Sequence, residues 1–324
     1  MKKKKSGEAR LLEHIEKTFR FPLDRRLLLG PGDDCAVLRH GPGRNLVITT
    51  DEIVEGTHYL ARFATPEDLA RKLTRINLSD LASMGEVKPV SCVVGAGLRK
   101  DTPKDFMLRF MKELKAEALR FGISIAGGNL AGARENHFYM TVWAESRGSK
   151  LVTRYGAKPG DLLLNIGPLG LAAAGLEILM GGRPAEKKKF PGLVKAFWRP
   201  EPMLKAGALL GREGLASAML DNSDGLARSA AIISDLSRCR VIVNPGEDAC
   251  PAALRAYSAL KKKPWRQYAI SGGEDFGLVF AAPARRLARI KKLLPAALVV
   301  GRLEKGSGCE IENFNGKIKS FEHF

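Results

Sequence analysis

Apolar residues first recur at helical spacing over 8–20, where Leu11, Leu12, Ile15 and Phe19 share one face. Leu46, Val47 and Ile48 then read as a strand with Thr49, Thr50 and Asp51 at its end. Thr65 and Pro66 pair a capping hydroxyl with a first-turn proline, which predicts a helix from there to about Met84. Residues 89–97 are apolar and β-rich, and Thr102 with Pro103 repeats the cap signal for a helix to about Phe121. A short strand at 123–126 ends at Gly127 and Gly128, and Phe138, Met140, Val142 and Ala144 alternate as a half-buried strand does.

Gly156, Pro159 and Gly160 mark the start of a second unit. Its pattern predicts helices around 169–181, 202–218 and 225–237, and strands at 240–244, 276–281 and 297–303. The glycines, proline and lysines of 181–190 read as a mobile surface loop. No short-period repeat appears. The expected fold class is α+β in two domains, 1–150 and 151–324.

Composition changes this picture only by exclusion. The chain has 324 residues, 45% hydrophobic and 27% charged; a chain of this size buries roughly 75% of its unfolded surface and needs no covalent staples. The five cysteines, Cys35, Cys92, Cys239, Cys250 and Cys309, are odd in number and form no CxxC pair. That fits neither a disulfide framework nor a zinc site, and suits a reducing compartment. No apolar run approaches ~18 residues, and no apolar stretch follows the lysines at 2–5, so a cytoplasmic protein without a membrane span is expected. The net charge of +18 is scattered and not interleaved with aromatics. It suits small substrates carrying several phosphates better than nucleic acid.

Candidate chemistry lies in acidic clusters beside glycines. Gly30-Pro31-Gly32-Asp33-Asp34 sets two carboxylates in a turn that could equally be an ordinary polar loop. Thr49, Thr50 and Asp51 are hard oxygen ligands of the kind magnesium takes, or simply strand residues. Asp80 falls in the apolar stripe Leu69, Leu73, Ile76, Met84, where an unpaired carboxylate is costly, so it needs either a metal or a basic partner. Asp221-Asn222-Ser223-Asp224-Gly225 precedes a helix and could cap it, or hold phosphate through metal. Gly272-Gly273-Glu274-Asp275 adds a further such turn. There is no Walker A motif and no protein-kinase set. Many carboxylates without a dedicated base suggest phosphoryl transfer by positioning and metal charge.

Together the segments GPGDDCAVL (30–38), TTDEIVEGTHY (49–59), NLSDLASMG (77–85), IAGGN (125–129), RYGAKPGD (154–161), DNSDGLA (221–227) and SGGEDF (271–276) resemble the thiamine-monophosphate kinases, within the aminoimidazole ribonucleotide synthetase-like ATP-binding superfamily. The resemblance implies an N-terminal α/β domain whose sheet forms a barrel with a second subunit, a homodimer, and a C-terminal α/β domain that closes the active site. It implies in-line transfer from ATP to thiamine monophosphate, giving thiamine diphosphate and ADP, with several Mg²⁺ ions. Asp34, Thr49, Thr50, Asp51, Asp80, Asp221 and Asp224 would be metal ligands, with Asp34, Asp51, Asp80 and Asp221 the catalytic set. Gly128, Asn129, Arg154 and Ser223 would contact ATP. His58, Glu274 and Phe321 would lie by the thiamine phosphate.

Three segments depart from the family pattern. Asn129 stands where the family usually has aspartate, Asn222 where it has an apolar residue, and Phe276-Gly277 replace a tyrosine and an acid. Asn129 would leave the implied metal set one carboxylate short. Other activities within the superfamily fit less well. A selenophosphate synthetase would need a reactive cysteine in a glycine-rich N-terminal arm, and a hydrogenase-maturation protein a C-terminal cysteine; this chain ends in Phe324. A nucleotide-binding homologue without catalysis would not need to keep Asp34, Asp51, Asp80, Asp221 and Asp224.

Overall fold

The computed structural model describes residues 7–19, 24–147 and 151–316. Its first half runs α1 (Gly7–Thr18), β1 (Leu27–Leu29), β2 (Ala36–Gly41), β3 (Arg44–Val54), α2 (Pro66–Ser83), β4 (Lys88–Leu98), α3 (Lys104–Phe121), β5 (Ser124–Gly132) and β6 (His137–Arg147). These strands form one sheet in the order β1-β2-β3-β6-β4-β5, antiparallel except for β4 and β5. The second half runs β7 (Asp161–Ile166), α4 (Leu171–Gly181), α5 (Pro184–Lys189), α6 (Pro191–Trp198), α7 (Leu204–Arg212), β8 (Ala218–Asp221), α8 (Leu226–Ser237), β9 (Arg240–Val243), α9 (Ala252–Lys261), α10 (Trp265–Ser271), β10 (Leu278–Pro283), α11 (Leu287–Leu293), β11 (Leu298–Glu304) and β12 (Cys309–Ile311). Its sheet has the order β12-β9-β11-β7-β10-β8. The α+β class expected from the pattern is what forms.

α2 is the element that matters most for the site. The Thr65 hydroxyl accepts from the Asp68 backbone N–H at 3.1 Å, and Pro66 occupies the first turn, so the helix starts where its sequence says. Leu69, Leu73, Ile76 and Met84 are fully buried on the face that meets β3 and β6. The opposite end of α2 packs on α7 at backbone distance: a Cβ at Gly207 would stand 1.9 Å from the Ala82 carbonyl oxygen. The first core also takes in Ala172, Leu179, Phe197, Trp198 and Phe276 from the second half. The two halves of the chain therefore share a packed seam.

Several local expectations need correction. Residues 184–189 form α5 rather than a mobile loop: Glu186 is buried and pairs with Lys261 at 3.1 Å, which pins the segment. The region 202–218 is not one helix; α7 stops at Arg212 and β8 begins at Ala218. β5 does not end at Gly127 and Gly128 but continues to Gly132. Thr102 does not cap α3; its hydroxyl hydrogen-bonds Asn136 Oδ1 at 2.7 Å. Thr49, Thr50 and Asp51 lie inside β3, not at its end. α1 forms as expected, yet Leu11 and Leu12 on its apolar face, and Phe19 just past its end, are exposed. The five cysteines are free thiols, and among the described residues no helix is long and apolar enough to cross a membrane.

Candidate active site

The acidic segments converge on one pocket of about 290 Å³ between β3, α2 and the turn after β8. Asp34 leads into β2, Asp80 lies on the buried face of α2, and Asp221 ends β8. One carboxylate oxygen from each lies within 4.8 Å of the others. Thr49 Oγ1 donates to Asp80 Oδ2 at 2.6 Å. Asp221 accepts from Ser79 Oγ at 2.9 Å and from Ser223 Oγ at 3.0 Å. Asp51, His58, Asp224 and Glu274 also line the pocket. Thr50 borders it, but side chains alternate along a strand, and the Thr50 hydroxyl donates to Met140 O at 3.1 Å.

The electrostatics are those of a site short of positive charge. Arg154 Nε donates to Asp34 Oδ1 at 2.9 Å, while Asp34 Oδ2 is buried without a hydrogen-bond partner. Burial, and then the Glu274 and Asp224 carboxylates, push Asp51 up to about 7. Burial, and then Asp34, push Asp221 up to about 8. Burial, with Asp51 and Asp221 after it, lifts Asp80 well above the usual carboxylate range. Burial and then Asp34 bring Asp33 up to about 6, although it accepts from the Arg154 backbone N–H. A converging, buried set of carboxylate and hydroxyl oxygens with an orphaned Asp34 Oδ2 fits a hard divalent cation.

Beside this pocket lies an apolar cavity of about 460 Å³, walled by Tyr59, Phe63, Leu176, Phe197 and Trp198. His58, Ser223, Asp224 and Glu274 line both spaces. His58 Nδ1 accepts from the Val54 backbone N–H at 3.0 Å, which leaves the proton of a neutral ring on Nε2. Glu274 and Phe276 hold positive φ of 70° and 50°, which non-glycine residues rarely adopt and which concentrate at functional loops.

The nucleotide candidates are divided. Arg154 and Ser223 are at the pocket, whereas Gly128 and Asn129 sit on the exposed edge strand β5, with β4 and β6 between them and β3. Gly128 also has a packing reason, since a Cβ there would stand 1.8 Å from Val94 O. Phe321 lies outside the described residues. Sequence reasoning missed Lys72, Ser79, Phe197 and Trp198. Lys72 could have been found: it falls between Leu69 and Ile76 on the same buried stripe that singled out Asp80.

Family models for the AIR synthase related protein match the chain, the N-terminal domain over residues 32–144 and the C-terminal domain over 158–312. A thiamine-monophosphate kinase of Mycobacterium tuberculosis is 34% identical over 275 residues, covering 84% of this chain and 80% of the relative. The chain belongs to the thiamine-monophosphate kinase family. The Escherichia coli thiamine-monophosphate kinase is 33% identical over 79% of the chain and 76% of its own length. The solved structure of AaThiL complexed with AMPPCP and TMP is 26% identical, with a TM-score of 0.85 over 97% of this chain and 96% of that one. The superfamily alternatives weighed on sequence give way to this kinase family.

Proposed function

We propose that the protein transfers the γ-phosphoryl group of ATP to thiamine monophosphate, giving thiamine diphosphate and ADP. The observation that carries this reading is the junction of the two cavities. One end gathers carboxylates able to hold metal against phosphates, and the other is an aromatic-walled space suited to a heterocycle. Membership of a family of thiamine-monophosphate kinases supports the choice of acceptor.

Asp34, Asp80 and Asp221, with Thr49, Asp51 and Asp224 around them, would hold magnesium. Thr50 would contribute less, its hydroxyl being engaged with Met140. The metal, when bound, would neutralise phosphate charge at the transferring group. The chain's own residues position the reactants. Arg154 and Ser223 are placed to meet ATP, and His58 and Glu274 the acceptor. No base is required, because the attacking group is an already anionic phosphate oxygen. As its bond to the γ-phosphorus forms, the bond to the β–γ bridging oxygen breaks and ADP leaves with the electron pair.

A homodimer belongs to the same proposal. β5 is exposed along its whole length and pairs on one side with β4, with Ile125 42% and Leu130 69% exposed. Such an edge is a template for a second strand. The nucleotide role of Gly128 and Asn129 would depend on that pairing. The test is a kinase assay with Mg²⁺, ATP and thiamine phosphate, on protein whose mass is measured by sedimentation. Thiamine diphosphate from a dimer is expected; folded protein that makes none would overturn the reading, and a monomer would overturn the pairing. Domains 1–150 and 151–324 are proposed as the binding and closing halves.

Metal binding should be linked to pH. Because the folded protein raises Asp51 and Asp221 above an ordinary carboxylate, it holds more protons than the unfolded chain. These two sites therefore contribute stability to the metal-free protein that is lost as pH rises from about 4 through about 8. Magnesium displaces those protons, so the Tm gain on adding it should be larger at pH 8 than at pH 6. Equal gains at both pH values would contradict this.

A further inference from the structure

Lys72 is the most deeply buried ammonium near the site, 1% exposed on the inner face of α2. Its Nζ lies 2.5 Å from Glu274 Oε2, 3.7 Å from the Phe197 ring centre and 5.6 Å from that of Trp198. Neither Nζ nor Oε2 makes a hydrogen bond of ordinary geometry. Lys72 borders the carboxylate pocket, while Glu274, Phe197 and Trp198 border the aromatic cavity. The side chain thus stands where the two spaces meet.

A lysine carries three donors, and burying them unused is costly. A lysine kept only for the fold would be expected to spend its donors on carbonyls or on a well-aligned carboxylate. Here one donor faces the Glu274 carboxylate at 2.5 Å and the others meet only aromatic faces, and that carboxylate sits on a loop with positive φ at Glu274 and Phe276. Around it the pocket is otherwise dominated by carboxylates, with Arg154 already committed to Asp34. An anion arriving at this junction would find in Lys72 the cation whose donors are still available.

We propose that Lys72 receives the phosphate of the acceptor itself, with Glu274 as the anion that occupies the ammonium until that phosphate arrives. This rests on the kinase reading above. The acceptor's phosphomonoester oxygen would be held against the ammonium, with its ring in the aromatic cavity. Lys72 takes no part in proton transfer. It lowers the repulsion between two anionic phosphates while the new oxygen–phosphorus bond forms and ADP departs. It also makes the site choose phosphorylated acceptors over the free alcohol.

The choice is what the experiment reads. With Mg²⁺ and a non-hydrolysable ATP analogue present, wild type should bind thiamine phosphate at least about tenfold more tightly than thiamine, the scale of a charge-assisted hydrogen bond. Lys72→Met should bring that ratio close to one while the Kd for thiamine stays near its wild-type value. In turnover, its KM for thiamine phosphate should rise about tenfold or more with the KM for ATP little changed, and Lys72→Arg should restore part of the loss. A ratio kept by Lys72→Met, or equal losses for thiamine and thiamine phosphate, would overturn the proposal in favour of a structural lysine. Should Lys72→Met fail to fold, Glu274→Gln reads the same contact. Removing the competing carboxylate should raise the ratio, and a fall in it would overturn the proposal. Wild type that makes no thiamine diphosphate would instead overturn the kinase reading; active wild type with an unchanged ratio in the variant overturns only the role of Lys72.

Discussion

Replacing Asp80 with alanine is expected to lower kcat for thiamine phosphate by about 10³-fold, the scale seen when one preorganised electrostatic contact at a reacting group is lost. The same change should leave the metal-free protein as stable as wild type or more so. Asp80 is confined with Asp34 and Asp221, whose oxygens lie within 4.8 Å of one another, and its favourable contact is the 2.6 Å hydrogen bond from Thr49. Burial and like charge both work against its carboxylate. Removing it relieves repulsion in the empty pocket and removes a ligand from the filled one. Thermal melts with and without Mg²⁺ separate the two effects: the variant should lose most of the Mg²⁺-dependent gain in Tm. A variant that keeps both that gain and activity within about tenfold of wild type would show that Asp80 is not a ligand.

Arg75→Met should destabilise the protein by about 3–5 kcal/mol, the range for breaking a buried ion pair. Arg75 and Glu117 are both 4% exposed, and Arg75 Nε meets Glu117 Oε2 at 2.7 Å. Its Nη1 also reaches Pro200 O at 3.2 Å and Glu201 Oε2 at 2.8 Å, so the guanidinium ties α2 to α3 and to the segment after α6. Removing it strands the Glu117 carboxylate in the interior. Arg75→Met combined with Glu117→Leu should recover much of the loss, because the stranded charge goes with it. Denaturant titrations of the singles and the double measure this. A double variant no better than the sum of the singles would place the cost in packing instead.

What the sequence made legible was local. α2 was readable because Thr65, Pro66 and the apolar stripe all point the same way, and Asp80 stood out as a charge where that stripe demands burial. β8 was not, because Ala218-Met219-Leu220 continues an apolar run that serves a buried strand as well as a helix. α5 was hidden by composition: glycine, proline and lysine read as loop, while the ion pair of Glu186 with Lys261 that fixes it spans 75 residues. Continuation of β5 through its glycines was also out of reach, since it depends on β4 lying flush beside Gly128. In the site the carboxylates were visible one at a time, but their meeting point and the aromatic wall beside it are assembled from many widely separated stretches of chain. Lys72 shows the same limit from the other side: its burial could be read, its carboxylate could not.

The contact of Gly207 with Ala82 bears on how such a chain can change over time. With no room for even one methyl group, α2 and α7 must be inherited as a matched pair. A recombination event that joined the first half of one relative to the second half of another would have to keep that contact intact. The rim of the aromatic cavity carries no such constraint: Leu176 and Met180 are open to solvent there, so a change of side chain would reach the acceptor space without touching the carboxylates.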